Sequence, residues 1–267
     1  MKKYLAMVLC LAMLVTSAFS PFDFSVVKAE AADTTTFQAD KVLSSPNLQK
    51  PISADTWGEP TLSINKDSYN TGLTKYHADP EDITADLYFR WDAEYLYIGV
   101  KSPDADVTGT GDYWTGDGIQ FKLQAGDAIT SEATDICLTW GSGTFGVGGG
   151  NADALKESIQ HNILSEDGSL SMMLAIPHSD MGYSADEVKA GAKYAIGLLR
   201  ISGQGGEGAS EAQAYSGWLE WGTYWDVAHD LHNANCVSSN TIVLYEKNSG
   251  SSGGDEQFSS LLDVTAA

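Results

Sequence analysis

Between residues 85 and 245 the apolar residues recur at every second position rather than every third or fourth. Leu87, Phe89 and Trp91 alternate with Tyr88 and Arg90, Asp92-Ala93-Glu94 makes a turn, and Leu96, Ile98 and Val100 alternate with Tyr97 and Lys101. Successive side chains on a strand point to opposite faces, so this spacing predicts a hairpin with one buried face. The same period returns at Ile119, Phe121 and Leu123, and more loosely over residues 136–140. Residues 169–176 follow an Asp167-Gly168 turn, and runs at 194–201, 218–221 and 241–245 complete the set. Helical spacing is weak except over residues 184–190, where Ser184 with Glu187 three positions on predicts a cap for one short helix. About eight to ten short antiparallel strands with turn residues between them predict an all-β fold, a jelly-roll-like β-sandwich.

The ends of the chain read differently. It opens with Lys2 and Lys3, an apolar run from Tyr4 to Val15, and Ala29-Glu30-Ala31 before Ala32. A basic start, a short apolar stretch and a small-residue exit predict a secretory signal peptide over residues 1–31. No later stretch reaches the ~18–20 uninterrupted apolar residues of a transmembrane helix, so the expectation is a secreted protein, extracellular or cell-surface associated. Residues 32–47 are a polar, pattern-poor lead-in, residues 48–247 the sandwich, and residues 248–267 a Gly/Ser linker (NSGSSGGD) with a tail too short to be a domain. Such an ending suits either a simple tail or one module of a larger protein.

Charge narrows the choice of partner. Residues 1–31 hold three of the 15 basic and two of the 36 acidic residues, which leaves 12 against 34 in the remainder. That surface repels nucleic-acid phosphates and anionic membranes and suits a neutral ligand or bound cations. Cys10 lies in the signal; Cys137 and Cys236 remain, either paired across a long loop or as two buried thiols.

Trp114 stands out within GDYWTGDGIQFKL, residues 111–123. It falls five positions before the first core residue of its strand, across Thr115-Gly116-Asp117-Gly118, which places it on the connecting loop. Three readings compete: a tryptophan capping the core, a ligand-stacking platform, and a surface residue. A platform needs a second wall, and residues 217–236 are the most aromatic stretch, with Trp218, Trp221, Tyr224 and Trp225. Trp221 alternates with Leu219 and reads as core; Trp225, beyond Gly222, has left the strand pattern. Asp117 and Asp226 sit beside the platform, where a carboxylate accepts sugar hydroxyls.

These residues carry a resemblance. RWDAEYLYIGV at 90–100, WTGDGIQF at 114–121, TFGVGG at 144–149 and YAIG at 194–197 resemble family 9 carbohydrate-binding modules, as does PISADTW at 51–57. The resemblance covers residues 50–246. It implies a jelly-roll β-sandwich, related to the DOMON-like sandwiches, that clamps a sugar between two tryptophans, with structural calcium nearby and no catalytic activity of its own. Carried over by position, Trp114 matches one wall, Trp225 the second and Gln120 a polar hydrogen-bonding position. Where some members direct an arginine and an asparagine at the sugar, this chain has Cys137 and Thr139. The implied partner is a polysaccharide or oligosaccharide, with catalytic modules of a larger glycan-degrading system as further associates.

Other chemistries leave weaker marks. Asp104 and Asp106 after Pro103, and Asp55 with Glu59, offer oxygen ligands to calcium, although neither pair is an EF-hand loop. His229 and His232 lack the glutamate of a zinc-protease helix. Nothing singles out the carboxylate pair of a glycosidase. The alternative class is a haem-binding electron-transfer domain using Met172, Met173 and His178, although alternation sends one of the two methionines into the core in any case. No organic cofactor is expected on the first reading, and a structural cell-surface module is the third possibility.

Overall fold

The computed structural model describes residues 36–71, 73–78, 83–104, 107–109, 116–130, 132–140, 145–150, 152–203, 217–221 and 240–247. Among them are thirteen strands: β1 (Thr36–Lys41), β2 (Leu62–Ile64), β3 (Leu73–Ala78), β4 (Ala85–Trp91), β5 (Tyr95–Pro103), β6 (Gly118–Ala125), β7 (Thr134–Thr139), β8 (Phe145–Gly149), β9 (Gln160–Glu166), β10 (Ser169–Pro177), β11 (Lys193–Ser202), β12 (Gly217–Trp221) and β13 (Asn240–Tyr245). Two short helices, α1 (Ala54–Trp57) and α2 (Ala152–Ser158), accompany them. The architecture is all-β, as the period-two pattern predicts.

The strands run in the order β8-β7-β6-β11-β13-β1-β4-β5-β10-β9. β12 joins the far half of β11 and carries β3 on its other side, and β2 pairs with β4. The sheet curls on itself. Ile119, Phe121, Leu123, Leu198, Leu219 and Trp221 from one half pack against Leu87, Phe89, Ile98, Met172 and Leu174 from the other, all buried in one core. Trp221 lies at its centre, its ring 5.6 Å from Phe89 and 5.0 Å from Phe37.

Three expectations need correcting. Residues 32–47 are not all lead-in, because Thr36–Lys41 form β1 between β13 and β4, pairing with both in parallel. Parallel pairing joins strands far apart in sequence and leaves no turn signal, which is why the pattern hides it. Residues 184–190 form turns and no helix. The Ser184–Glu187 cap does form, with Ser184 N–H and hydroxyl donating to Glu187 Oε2 at 2.9 and 2.6 Å, but one turn with only Val188 packed on the core does not offset helix nucleation.

Finally, the β4–β5 hairpin buries both faces. Tyr88, Tyr97, Met173 and Ala175 form a second cluster, covered from outside by Leu48, Ile52 and Trp57 of the α1 segment. Arg90 stitches that cover down: Nε donates to Trp57 C=O at 2.9 Å, Nη1 to Thr61 Oγ1 at 3.2 Å, and Nη2 to Glu59 C=O.

The β4–β5 turn is fastened by Asp92. Its carboxylate accepts the N–H groups of Glu94 (2.8 Å) and Tyr95 (2.9 Å), Tyr97 O–H (2.5 Å) and Ser45 O–H (3.1 Å). Burial works to raise its pKa, and these donors outweigh it, leaving Asp92 below the ordinary carboxylate value. His178, fully buried at the end of β10, closes the same corner, with Nε2 3.1 Å from Asp92 C=O and Nδ1 2.6 Å from Tyr194 Oη. A carbonyl only accepts, so Nε2 carries the proton and Tyr194 O–H donates to Nδ1 in the neutral ring.

Candidate site on the outer face of the β6–β7–β11–β12 sheet

Because Ile119, Phe121, Leu219 and Trp221 point into the core, their alternates lie on the opposite face. The register lines them up in rows. Cys137 lies beside Gln120, Gln120 beside Leu199, and Leu199 beside Glu220. One row along, Lys122 lies across from Asp135; on the other side run Thr139, Gly118, Ile201 and Trp218. Gln120, Lys122 and Thr139 are buried, and Glu220 is 0% exposed. Trp218 is half-buried and packs on Leu199 and Ile201. A glutamate, a glutamine, a lysine and a threonine at low exposure on one sheet face, beside an indole and two aliphatic side chains, is the composition of a small-ligand site. The register of β12 with β3 shifts between Glu220 and Trp221, a bulge that re-aims the strand at this point.

Cys137 carries a thiol on this face, and burial, with Asp135 adding, pushes its pKa up to about 12. It is therefore no thiolate nucleophile near neutral pH. Its candidate partner Cys236 lies outside the described residues.

Of the residues expected at a sugar site, Gln120 is on this face. Trp114, Trp225 and Tyr224 lie outside the described residues, as do Asp106, Asp226, His229 and His232. Asp117, expected beside the sugar, is fully buried on the core-facing side of the sheet, one position before β6. Its Oδ1 is 3.4 Å from Arg200 Nη1, and Arg200 Nη2 is 3.0 Å from Asp104 Oδ2. Burial raises the Asp117 pKa to about 7, Arg200 opposing and Asp104 reinforcing the shift.

Asp104 is thus held by a guanidinium, and Asp55 stands exposed in the first turn of α1. Neither fits a calcium cradle, and among the described residues no three His, Cys, Asp or Glu side chains converge on a metal position. Nor does a haem pocket form from the other candidate set. Met172 is in the main core, Met173 is in the second cluster under α1, and both His178 nitrogens are hydrogen-bonded.

Glu220 and Lys122 were not singled out from sequence. A signal was present in WLEW, residues 218–221, where a carboxylate sits between two core positions on a strand.

The geometry can be set beside known proteins. No family model matches the sequence, and no curated protein matches it either. Solved structures do match. A family 9 carbohydrate-binding module from Caldicellulosiruptor kristjanssonii in complex with glucose superposes with a TM-score of 0.58 at 11% identity, over 82% of this chain and 100% of that one. A structure of a family 9 module from the same organism in complex with cellotriose gives 0.55 at 11% identity, over 80% and 96%. The chain has the family 9 carbohydrate-binding fold. The likeness spans nearly the whole of each matched module.

Proposed function

We propose that this chain is a secreted, non-catalytic carbohydrate-binding module that holds a sugar unit of an oligosaccharide or polysaccharide on the outer face of β6, β7, β11 and β12. The observation that carries the reading is the row of Gln120, Leu199 and Glu220, polar groups set around an aliphatic floor, on strands that adjoin in sequence the segments carrying Trp114 and Trp225. β6 and β12 flank β11 and run parallel to each other, two strand spacings or about 10 Å apart. Trp114 comes four positions before Gly118 at the start of β6, and Trp225 four positions after Trp221 at the end of β12. Gly118 and Trp221, the strand ends that lead to those two segments in the chain, stand at opposite ends of the same small patch. The ligands of the two superposed modules, glucose and cellotriose, agree with a neutral sugar.

The energetics suit a weak, reversible binder. Covering roughly 100 Å² of each indole face at about 25 cal/mol/Å² yields about 2.5 kcal/mol per wall before association costs. With hydrogen bonds from Gln120 this gives affinities around the micromolar level. Gln120 offers both a donor and an acceptor to sugar hydroxyls, and Glu220, fully buried beside Leu199, lies beneath the floor of the patch. Electrophoresis of the full chain through gels containing β-glucan, xylan or mannan tests the reading. Retardation on one glycan, lost in Trp114→Ala, is the expected result; equal mobility in every gel overturns it.

A further inference from the structure

At the end of the fold where β6 finishes and β7 begins, far along β6 from Gly118, an open cavity of about 280 Å³ lies between the two halves of the curled sheet. Leu123 and Ala125 give it an apolar wall from one half, and the turn that follows β10 faces it with Asp180 and Met181 from the other. That turn is fastened by the buried His178, whose N–H donates to Glu94 C=O at 3.0 Å and whose C=O accepts Met181 N–H at 3.2 Å and Tyr183 N–H at 3.1 Å. Pockets for small ligands begin near ~300 Å³, so this one suits a single ring unit and not a longer chain.

A buried polar group faces the cavity. Thr134, only 3% exposed, lines it, and its parity with Ile136 and Leu138 points its side chain inward. No described group hydrogen-bonds its hydroxyl. Gly150 keeps that hydroxyl uncovered: its φ is +39°, and a Cβ there would lie 2.5 Å from Thr134 Oγ1 and 2.9 Å from Glu132 O. A buried hydroxyl without a partner costs free energy, and a ligand that exchanges a hydrogen bond with it removes the cost. Gln124, also on the wall, adds donors. Its Oε1 is held by Thr130 N–H at 2.7 Å and Thr130 O–H at 3.1 Å, which fixes the amide and leaves Nε2 without a described acceptor.

Charge narrows the ligand. Glu132 and Asp180 both line the cavity, and among the described lining residues none is basic. Lys193, at the start of β11 beside the end of β6, is engaged by Asp127 at 2.8 Å. The chain as a whole carries a formal charge of −21, which draws cations toward such a recess. We infer that this cavity is a second ligand site, separate from the outer sheet face, and that it takes a small polyhydroxylated cation, an amino sugar unit such as glucosamine. The ring's C–H face meets Leu123, Ala125 and Met181, its hydroxyls exchange hydrogen bonds with Thr134 and Gln124, and its ammonium is balanced by Glu132 and Asp180.

Methyl-¹³C-methionine NMR of the full chain reads the cavity through Met181, assigned by Met181→Leu, with the core residues Met172 and Met173 as internal references. Protonated glucosamine is titrated beside glucose and N-acetylglucosamine, which keep the ring and lack the charge. Thr134→Val removes the hydroxyl at nearly constant shape, Glu132→Gln removes a charge at an exposed position, and Gln120→Ala alters the sheet face alone. The expected result is a saturable shift of the Met181 methyl with glucosamine, about tenfold weaker with either neutral sugar and in either cavity variant, and unchanged in Gln120→Ala. A Met181 methyl that stays still with glucosamine, moves equally with glucose, responds as wild type in either cavity variant, or loses its response in Gln120→Ala overturns the proposal. Sugar binding on the sheet face is read separately with cellotriose, so failure here leaves that reading standing.

Discussion

Substituting Gly118 by alanine should destabilise the protein by about 2 kcal/mol, whereas the same change at Gly148, two strands away, should cost nothing. Neither position has a positive φ, so the difference lies in space and not in backbone preference. A Cβ on Gly118 would lie 2.5 Å from Thr139 Cγ2, 2.6 Å from Leu138 O and 2.8 Å from Thr139 Cα. Carbon contacts settle near 3.5–4.0 Å, so the strands must separate by about 1 Å, and two of the three obstacles are backbone that cannot rotate away. Overpacking of this kind costs about 1–3 kcal/mol, offset by about 0.4–1 kcal/mol from the lower entropy of an unfolded chain with one glycine fewer. At Gly148 the nearest atom is Asp135 Cβ at 3.9 Å, an ordinary contact, so only the entropic gain remains. Urea unfolding followed by circular dichroism, with a calorimetric Tm, reads both variants. A loss of about 4–8 °C is expected for Gly118→Ala and none for Gly148→Ala. Equal stability of the two would refute the close β6–β7 approach, and with it the register that sets Gln120 beside Cys137.

Asp92→Ala should lose about 2–3 kcal/mol, because four donors lose a charged acceptor; chemical denaturation checks it, and a loss below 0.5 kcal/mol would show the turn holds without the carboxylate. His178 has its pKa lowered, chiefly by burial, so the folded state favours the neutral ring. Its contribution is therefore complete above the ordinary histidine value near 6.5 and is lost as pH falls below it, as the unfolded chain takes up a proton the native ring refuses. Stability profiles of wild type and His178→Gln between pH 8 and 5 should diverge in slope below pH 6.5; parallel profiles would remove His178 from the acid response. Gln120→Ala should weaken sugar binding about tenfold while shifting Tm by less than about 2 °C, as a calorimetric titration and a thermal scan would show together.

The eight strands with alternating or continuous apolar residues were legible in the chain because each buries a recognisable face. β1 was not, since of TFQADK only Ala39 is buried and its partners lie about 50 and 200 positions away. β8 and β9 were hidden for a related reason: FGVGG and QHNILSE sit at the sheet's two edges, with half-buried or exposed side chains and no alternation to read. The second apolar layer escaped because Tyr88 and Tyr97 look like the wet side of a strand until Ile52 and Trp57 are laid over them. At the site, Gln120 came from the family resemblance, and Glu220 was passed over although its strand placed it on the same face. Asp117 is the instructive case. Adjacency to Trp114 suggested sugar contact, but parity with Ile119 and Phe121 sends it to the core side, where Arg200 meets it.

Carbohydrate binding itself is tested most directly by isothermal titration of the full chain with cellotriose, xylotriose and glucose, alongside the Trp114→Ala/Trp225→Ala double variant. The account predicts one-to-one, saturable binding of at least one of these sugars near the micromolar range, and no measurable heat from the folded double variant. A folded wild-type protein that binds none of them, or a double variant that binds as wild type does, would contradict it.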